Sequence, residues 1–144
     1  MKNMKKISTF TAAILFLYIL CAAAAETEVL EIKEKMFVQQ CNDIYFNADD
    51  YLGKTVRLEG MYLEIATSSG ETNRYVYRKT PGCCGDDGAM AGFRVLLDES
   101  PSLEQNEWVE ATGTVEPSSG YENVVLRLSN LKVLDTRGAE FVSN

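Results

Sequence analysis

The stretch "TVRLEGMYLEIA", residues 55–66, carries apolar side chains at alternate positions, and the alternation changes phase at Gly60. The apolar positions are Val56, Leu58, Met61, Leu63 and Ile65. Alternation with a period of two is typical of a β-strand. A phase change at a glycine indicates a β-bulge, because one extra residue swaps the side chains between the two faces of the sheet. The stretch therefore predicts a long bent strand that belongs to two parts of a curved sheet.

Four more segments alternate in the same way, and loop-forming residues separate them. The segments are "NRYVYRK" (73–79), "GFRVLLD" (92–98), "WVEATGTVE" (108–116) and the stretch from Val124 to Val133, in which the phase shifts again before Leu131. The loops are "TSSGET" (67–72), "SPSLEQNE" (100–107) and "PSSGYE" (117–122). Five strands, two of them bent, predict a mainly β fold, and a small OB-like five-stranded barrel fits best. A β-sandwich is the alternative and fits the strand count less well.

One short helix is predicted before the barrel. From Lys35 to Asn47, apolar residues recur at helical spacing and place Cys41 on the buried face. The apolar positions are Phe37, Cys41, Ile44 and Tyr45. An extended start at "EVLEI" (28–32) precedes this helix, and a turn at "ADDYLGK" (48–54) follows it.

The first 25 residues have the layout of a secretory signal peptide. Lys2, Lys5 and Lys6 precede an apolar stretch that ends in four alanines, so we expect cleavage after Ala25. The apolar part is shorter than the ~20 residues of a membrane-spanning helix, which disfavours a retained anchor, and a lipoprotein acylated at Cys21 is a minor alternative. We therefore expect an extracytoplasmic protein, secreted or at the cell surface. Residues 26–135 form the barrel domain and residues 136–144 a flexible tail.

Composition excludes several functions. Removing three of the 14 basic residues and none of the 21 acidic ones leaves a formal charge near −10 on the exported chain. Such a charge repels the phosphate backbone, so we expect no nucleic-acid partner and no binding to an anionic membrane surface. The chain has no histidine. Catalytic sites that depend on His, and imidazole metal ligands, are therefore excluded.

The segment "PGCCGDDG", residues 81–88, is the candidate functional motif. Three cysteines remain after cleavage, an odd number for an exported protein. Thiolates attract zinc or another thiophilic metal ion, and carboxylates can complete such a site. The candidate metal ligands are Cys41, Cys83, Cys84, Asp86 and Asp87.

Three other arrangements of the cysteines stay open. A disulfide from Cys41 to Cys83 or Cys84 would stabilise the fold by about 3–4 kcal/mol across a loop of roughly 42 residues. A Cys83–Cys84 disulfide would distort the peptide bond between them, and buried thiols can act as small hydrophobes. A thiol-dependent enzyme ranks lowest, because neighbouring aspartates raise a thiol pKa, and the protein is expected not to be an enzyme.

Other residues that could serve a site have simpler explanations. Arg78 is predicted to be an ordinary cation on an edge strand. Trp108, Tyr75 and Tyr77 could form a stacking platform, but the acidic charge favours their assignment as core and rim residues.

The segments "MFVQQCNDIYFNADDYLGKTVRLEGMYLE" (36–64), "YVYRKTPGCCGDDGAMAGFRV" (75–95) and "EWVEATGTV" (107–115), in this order, resemble a known domain. It is the soluble extracytoplasmic domain of an uncharacterised bacterial family of permease subunits, which carries a Cys-Cys motif followed closely by Asp. The resemblance covers roughly Glu31 to Leu134. It implies an OB-like domain outside the membrane whose partner is a membrane permease or another cell-surface protein.

Two function classes follow from these observations. The first is an exported binding or accessory module that holds a metal ion through the Cys83-Cys84 turn and works beside a permease. The second is an interaction or structural domain whose cysteines form a stabilising disulfide, with no metal.

Overall fold

The computed structural model describes residues 28–82, 88–119 and 122–143. These residues form six strands, two α-helices and a 3-10 turn at Glu34–Met36. The strands are β1 (Val29–Glu31), β2 (Thr55–Ala66), β3 (Thr72–Thr80), β4 (Ala89–Leu96), β5 (Trp108–Pro117) and β6 (Val124–Val133), and the helices are α1 (Phe37–Phe46) and α2 (Ala48–Tyr51). The predicted mainly β class is confirmed. The predicted extended start forms the short strand β1, which adds a sixth strand to the five that were predicted.

The strand pairings close a ring. β2 runs antiparallel to β5 along residues 55–61 and antiparallel to β3 along residues 61–66. β3 pairs antiparallel with β4, β4 pairs parallel with β6, and β6 pairs antiparallel with β5. β1 lies parallel to β2 outside this ring of five. A closed ring of five strands is what the OB-like prediction requires.

The predicted bulge at Gly60 is wrong. Pairing continues without a register shift from Thr55 to Met61 along β5 and onward along β3. Residue Tyr62 belongs to the main core, whereas Met61 packs with Trp108 in a second apolar cluster. β2 therefore buries apolar side chains on both faces at this point, and in the sequence this produces the same pattern as a phase change. Gly60 serves close packing instead, since a Cβ there would lie 2.6 Å from a β3 carbonyl oxygen.

The phase shift in β6 is a genuine irregularity. Thr112 pairs with Asn130 and Gly113 pairs with Leu128, so Ser129 is the extra residue between them. Its hydroxyl donates a hydrogen bond to the Thr112 carbonyl at 3.2 Å. Before this bulge, β6 places apolar residues in the core. Beyond the bulge, β6 follows the curvature of β5.

Helix α1 covers one side of the ring. The predicted start at Lys35 is two residues early, because Glu34–Met36 is a 3-10 turn. The buried residues are Phe37, Val38, Cys41 and Ile44, which confirms the predicted inner face. The predicted turn at 48–54 begins with a helical turn, α2, where the Tyr51 hydroxyl donates to Asp43 of α1.

The C-terminal segment makes more contacts than the flexible tail expected from the sequence. The amide of Lys79 donates to the Glu140 carbonyl at 2.8 Å, and the amide of Val142 donates to the Lys79 carbonyl at 2.8 Å. Val142 is buried in the main core. The short apolar pair Phe141-Val142 carries little signal in the sequence, but the edge of β3 supplies its partners.

Candidate functional site

Of the five predicted metal ligands, the structure describes Cys41. Its side chain is 1% exposed, on the inner face of α1. Cys83, Cys84, Asp86 and Asp87 lie outside the described residues. The prediction that the Cys41 sulfur lies close to the other two sulfurs therefore stays a prediction.

The described neighbours of the cysteine turn lie beside Cys41. The β3–β4 ladder ends with the pair Thr80 and Ala89, so the segment between these strands begins and ends at adjacent positions. A hollow of about 490 Å³ lies between this end of the hairpin and α1. Its lining comprises Val38, Cys41, Asn42, Tyr45, Tyr75, Tyr77, Thr80, Pro81, Ala89, Met90, Ala91, Gly92 and Glu122. Cys41 thus shares a hollow with both ends of the segment that carries the other cysteines.

Contacts between α1 and β4 fix the position of this hollow. The Tyr45 hydroxyl donates to the Gly92 carbonyl at 3.1 Å, and the Tyr45 ring stacks on Phe93 with ring centroids 5.1 Å apart. Gly92 has φ +148°, and a Cβ there would lie 2.1 Å from the Val76 carbonyl oxygen. A glycine at this position therefore allows β3 and β4 to approach closely beneath α1.

Burial keeps the Cys41 thiol and the Tyr45 hydroxyl of the hollow neutral. It raises the pKa of the Cys41 thiol to about 12, and the positive charge of Arg78 offsets this only in part. Burial and the nearby Glu122 carboxylate also raise the pKa of the Tyr45 hydroxyl. At neutral pH both groups are protonated. A cation that binds Cys41 must therefore displace a proton.

The rim formed by the β5–β6 connection carries the charges. The Tyr75 hydroxyl donates to Glu122 at 3.3 Å, and the Arg94 Nε lies 3.4 Å from a Glu122 oxygen. Arg94 also donates from Nη2 to the Ser118 hydroxyl at 2.7 Å. The carboxylate at this rim is therefore paired with a cation. Nothing in the sequence indicates that Glu122 and Tyr45 line the same hollow, since they belong to segments far apart in the chain.

The structure corrects the expectation for Arg78. Instead of an exposed edge-strand cation, it is 2% exposed. Its guanidinium donates to the Glu59 carbonyl at 2.8 Å, to the Glu34 carboxylate at 2.8 Å and to the Ala139 carbonyl at 3.0 Å. The rings of Phe37 and Trp108 each lie 4.8 Å from it. Arg78 therefore joins the 3-10 turn, β2 and the C-terminal segment, and does not line the hollow.

The aromatic residues considered for a stacking platform lie in the core and at the rim, as predicted. Trp108 and Tyr77 are buried together with Met61 in the second apolar cluster. Tyr75 is half-buried beside the hollow. These positions leave no exposed pair of these rings for nucleic-acid bases.

Two absences concern the described ranges alone. Across residues 28–82, 88–119 and 122–143, no group of three or more His, Cys, Asp or Glu side chains is placed to hold a metal ion. Within the same parts of the chain, the helices are too short or too polar to cross a membrane. The first finding does not bear on the predicted ligand set, because four of its five members are not described.

Comparisons with known proteins give one match. No curated protein and no solved structure matches the chain. The family model of the DUF1980 C-terminal domain, a domain of unknown function, matches residues 19–144, which include the whole ring of strands, α1 and the hollow. The chain therefore belongs to the DUF1980 C-terminal domain family.

Proposed function

We propose that this protein is an exported accessory domain that binds a thiophilic metal ion, zinc or a softer cation, through Cys41 and the Cys83-Cys84 turn. Asp86 or Asp87 completes the ligand set. One observation carries the proposal: Cys41 lines a hollow whose rim includes both ends of the segment that bears the other thiols.

Chain length places the other thiols within range of this hollow. Cys83 follows Thr80 by three residues, and Cys84 precedes Ala89 by five. An extended chain spans about 3.3–3.6 Å per residue, so three residues cover about 10 Å. Because both ends of the segment line the hollow, a turn of this length can extend over it.

The chemistry of the hollow favours a soft cation over a hard one. Zinc binds thiolates at about 2.3 Å in closed tetrahedral sites, and thiolates in general select zinc or softer ions. Calcium and magnesium need several oxygen ligands, and the described carboxylate at this rim, Glu122, is already paired with Arg94. A protonated Cys41 would release its proton when the ion binds.

The second candidate function is an interaction or structural domain in which Cys41 forms a disulfide with Cys83 or Cys84. The same proximity supports it, since a disulfide needs Cα atoms within about 7 Å. Such a bond would tie α1 to the β3–β4 hairpin. A thiol-dependent enzyme is disfavoured, because a nucleophilic cysteine needs a lowered thiol pKa and burial raises that of Cys41.

Elemental analysis combined with a free-thiol count separates the two candidates. The protein is isolated from the cell in its processed form without chelator. About one bound ion per chain, with three thiols that become reactive only after chelation, supports the metal site. No metal and one free thiol support the disulfide. Three free thiols without metal would contradict both candidates.

A matched pair of variants tests the role of Cys41. Cys41→Ala removes the thiol, and Val38→Ala removes two methyl groups, a larger volume, from the same face of α1 beside the same hollow. We expect the ion to be lost from Cys41→Ala and retained by Val38→Ala. Equal metal content in both variants would exclude Cys41 from the site.

Export and association with a membrane permease are further parts of the proposal, and the sequence supports both. The mass of the isolated protein tests export: we expect an N-terminus at Glu26, and an acyl group on Cys21 would instead place the domain at a membrane surface. Crosslinking on intact cells tests the partner. We expect a polytopic membrane protein among the products, and crosslinks confined to soluble proteins would contradict the association.

A further inference from the structure

Two large apolar residues are exposed at the two ends of α1: Phe46 is its last residue, and Met36 is the last residue of the 3-10 turn before it. Phe46 is 84% exposed and Met36 is 46% exposed. Phe46 lies nine residues after the buried Phe37, about two and a half helical turns, and therefore on the opposite side of the helix. Large exposed hydrophobic residues at the edges of a hollow are a feature of interaction surfaces.

Two hollows flank the Phe46 ring. The first, of about 600 Å³, runs along the outer face of α1 from Lys35 and Met36 to Asp43 and Phe46. The second, of about 520 Å³, lies beyond the helix end and is lined by Phe46, Leu52 and the acidic residues of α2. Phe46 is therefore a projecting ring between two concave surfaces, so this face contains both a projection and recesses that could receive one.

Charge is distributed unevenly along this face. Lys35 lies at its amino-terminal end, and Asp43, Asp49 and Asp50 lie at its carboxyl-terminal end. In the described part of the chain, Lys35, Asp49 and Asp50 form no ion pair with one another or with other residues. The face thus has a basic end and an acidic end, both available to a partner.

We propose that this face binds a second copy of the same chain, with the two α1 helices antiparallel across a two-fold axis. A two-fold interface uses the same patch on both subunits, so the patch must be self-complementary. Met36 and Phe46 are ten residues apart, about 15 Å along a helix. Reversal of one helix therefore brings Met36 of one copy to Phe46 of the other, and Lys35 to the acidic end.

The acidic net charge does not oppose this contact at physiological salt. Screening reduces interactions between exposed charges beyond about 8 Å, so the local arrangement of Lys35 and the aspartates outweighs the distant carboxylates. A membrane surface fits the face less well, because its three aspartates would repel anionic lipid headgroups.

Sedimentation analysis of the processed chain over micromolar to millimolar concentrations tests the dimer. We expect the average mass to rise toward twice that of the monomer. Phe46→Ser should raise the dissociation constant at least about tenfold, as for a buried aromatic residue of an interface, since the two-fold axis places Phe46 in the contact twice. Ile65→Ser is the control, because Ile65 is 42% exposed at the far end of β2, and it should leave the dissociation constant unchanged.

Charge reversal provides the decisive experiment. Lys35→Glu makes both ends acidic, and Asp49→Lys with Asp50→Lys makes both ends basic. Each variant alone should be monomeric, whereas an equimolar mixture should form a heterodimer, since each Lys then meets an acidic residue. A wild-type chain that stays monomeric at all concentrations, or a mixture that stays monomeric, would overturn the proposal.

Discussion

Cys41 and Arg78 are both ionisable and both almost completely buried, yet their surroundings differ. Arg78, which is permanently charged, donates hydrogen bonds to three oxygen acceptors and lies between two aromatic rings. Cys41 lies among apolar residues, and burial raises its thiol pKa to about 12. One group is buried with its charge compensated, and the other is buried as a neutral thiol.

This difference separates a structural residue from a candidate ligand. The buried charge of Arg78 is paired, and loss of one partner of such a pair is costly, so Arg78 holds its three acceptors in place. A neutral thiol beside a hollow can exchange its proton for a metal ion or form a disulfide. Burial alone therefore does not distinguish a site; the number of satisfied partners does.

The largest effect is expected from Arg78→Met. The substitution removes the donors to the Glu59 and Ala139 carbonyls and leaves the Glu34 carboxylate without its cationic partner, which we expect to cost about 2–4 kcal/mol of unfolding free energy. Arg57→Met is the control, because Arg57 is half-exposed and, among the described residues, its ion pair is with the surface residue Glu31. It should change stability by less than about 0.5 kcal/mol. Urea denaturation measures both, and equal losses would contradict the structural role of Arg78.

The second effect concerns the reactivity of Cys41. In a variant with Cys83→Ala and Cys84→Ala, reduced and metal-free, we expect alkylation at pH 8 to be about a thousandfold slower than in the urea-unfolded chain. The reason is that a thiol with pKa near 12 has about a thousandth of the thiolate of one at 9.0. The native rate should rise about tenfold per pH unit up to pH 10. A native rate within tenfold of the unfolded one would show that Cys41 is not held as a neutral thiol.

The sequence predicted most of the fold because the relevant signals are local. Alternation identified the strands, and helical spacing placed Cys41 on the buried face of α1. The bulge at Gly60 was misread for a physical reason: Met61 lies under Trp108, so β2 buries apolar residues on both faces. Periodicity alone does not distinguish a strand buried on both sides from a shift in phase.

The surroundings of the site were harder to predict because its residues meet only in the folded chain. Arg78 is buried by partners 44 and 61 positions away, Glu34 and Ala139, and nothing near it in the sequence indicates either contact. Glu122 and Tyr45 likewise reach the hollow from separate segments. The Cys-Cys motif lies between β3 and β4, whose ends line the hollow, but the other residues of the hollow depended on topology.

A third, smaller effect concerns the contribution of Cys41 to stability with and without zinc. In the reduced, metal-free protein Cys41→Ala should lower the unfolding free energy by about 1 kcal/mol, because the thiol acts there only as a small hydrophobe. Zinc should stabilise the wild-type chain by about 2.7 kcal/mol at a hundred times its dissociation constant, and should not stabilise the variant. Thermal unfolding with and without zinc measures both, and equal stabilisation of the two chains would place the ion elsewhere.

The smallest effect is a pH dependence at the Arg78 contacts. The amide of Ala139 donates to Glu34 at 2.9 Å, and this bond, together with that from Arg78, lowers the pKa of the carboxyl below 4.5. Because the pKa is lower in the folded protein, the contact contributes its full stability at pH values above the pKa of the unfolded chain. This stability is lost as the pH falls through the pKa of the folded protein. Because Glu34 is half-exposed, the contribution should be about 0.5 kcal/mol or less. The Ala139 amide proton shift in an NMR titration should change with a midpoint below 4.5, and Glu34→Gln should abolish that change. A midpoint at or above 4.5 would mean that the carboxylate is solvated and that Arg78 does not hold the C-terminal segment through it.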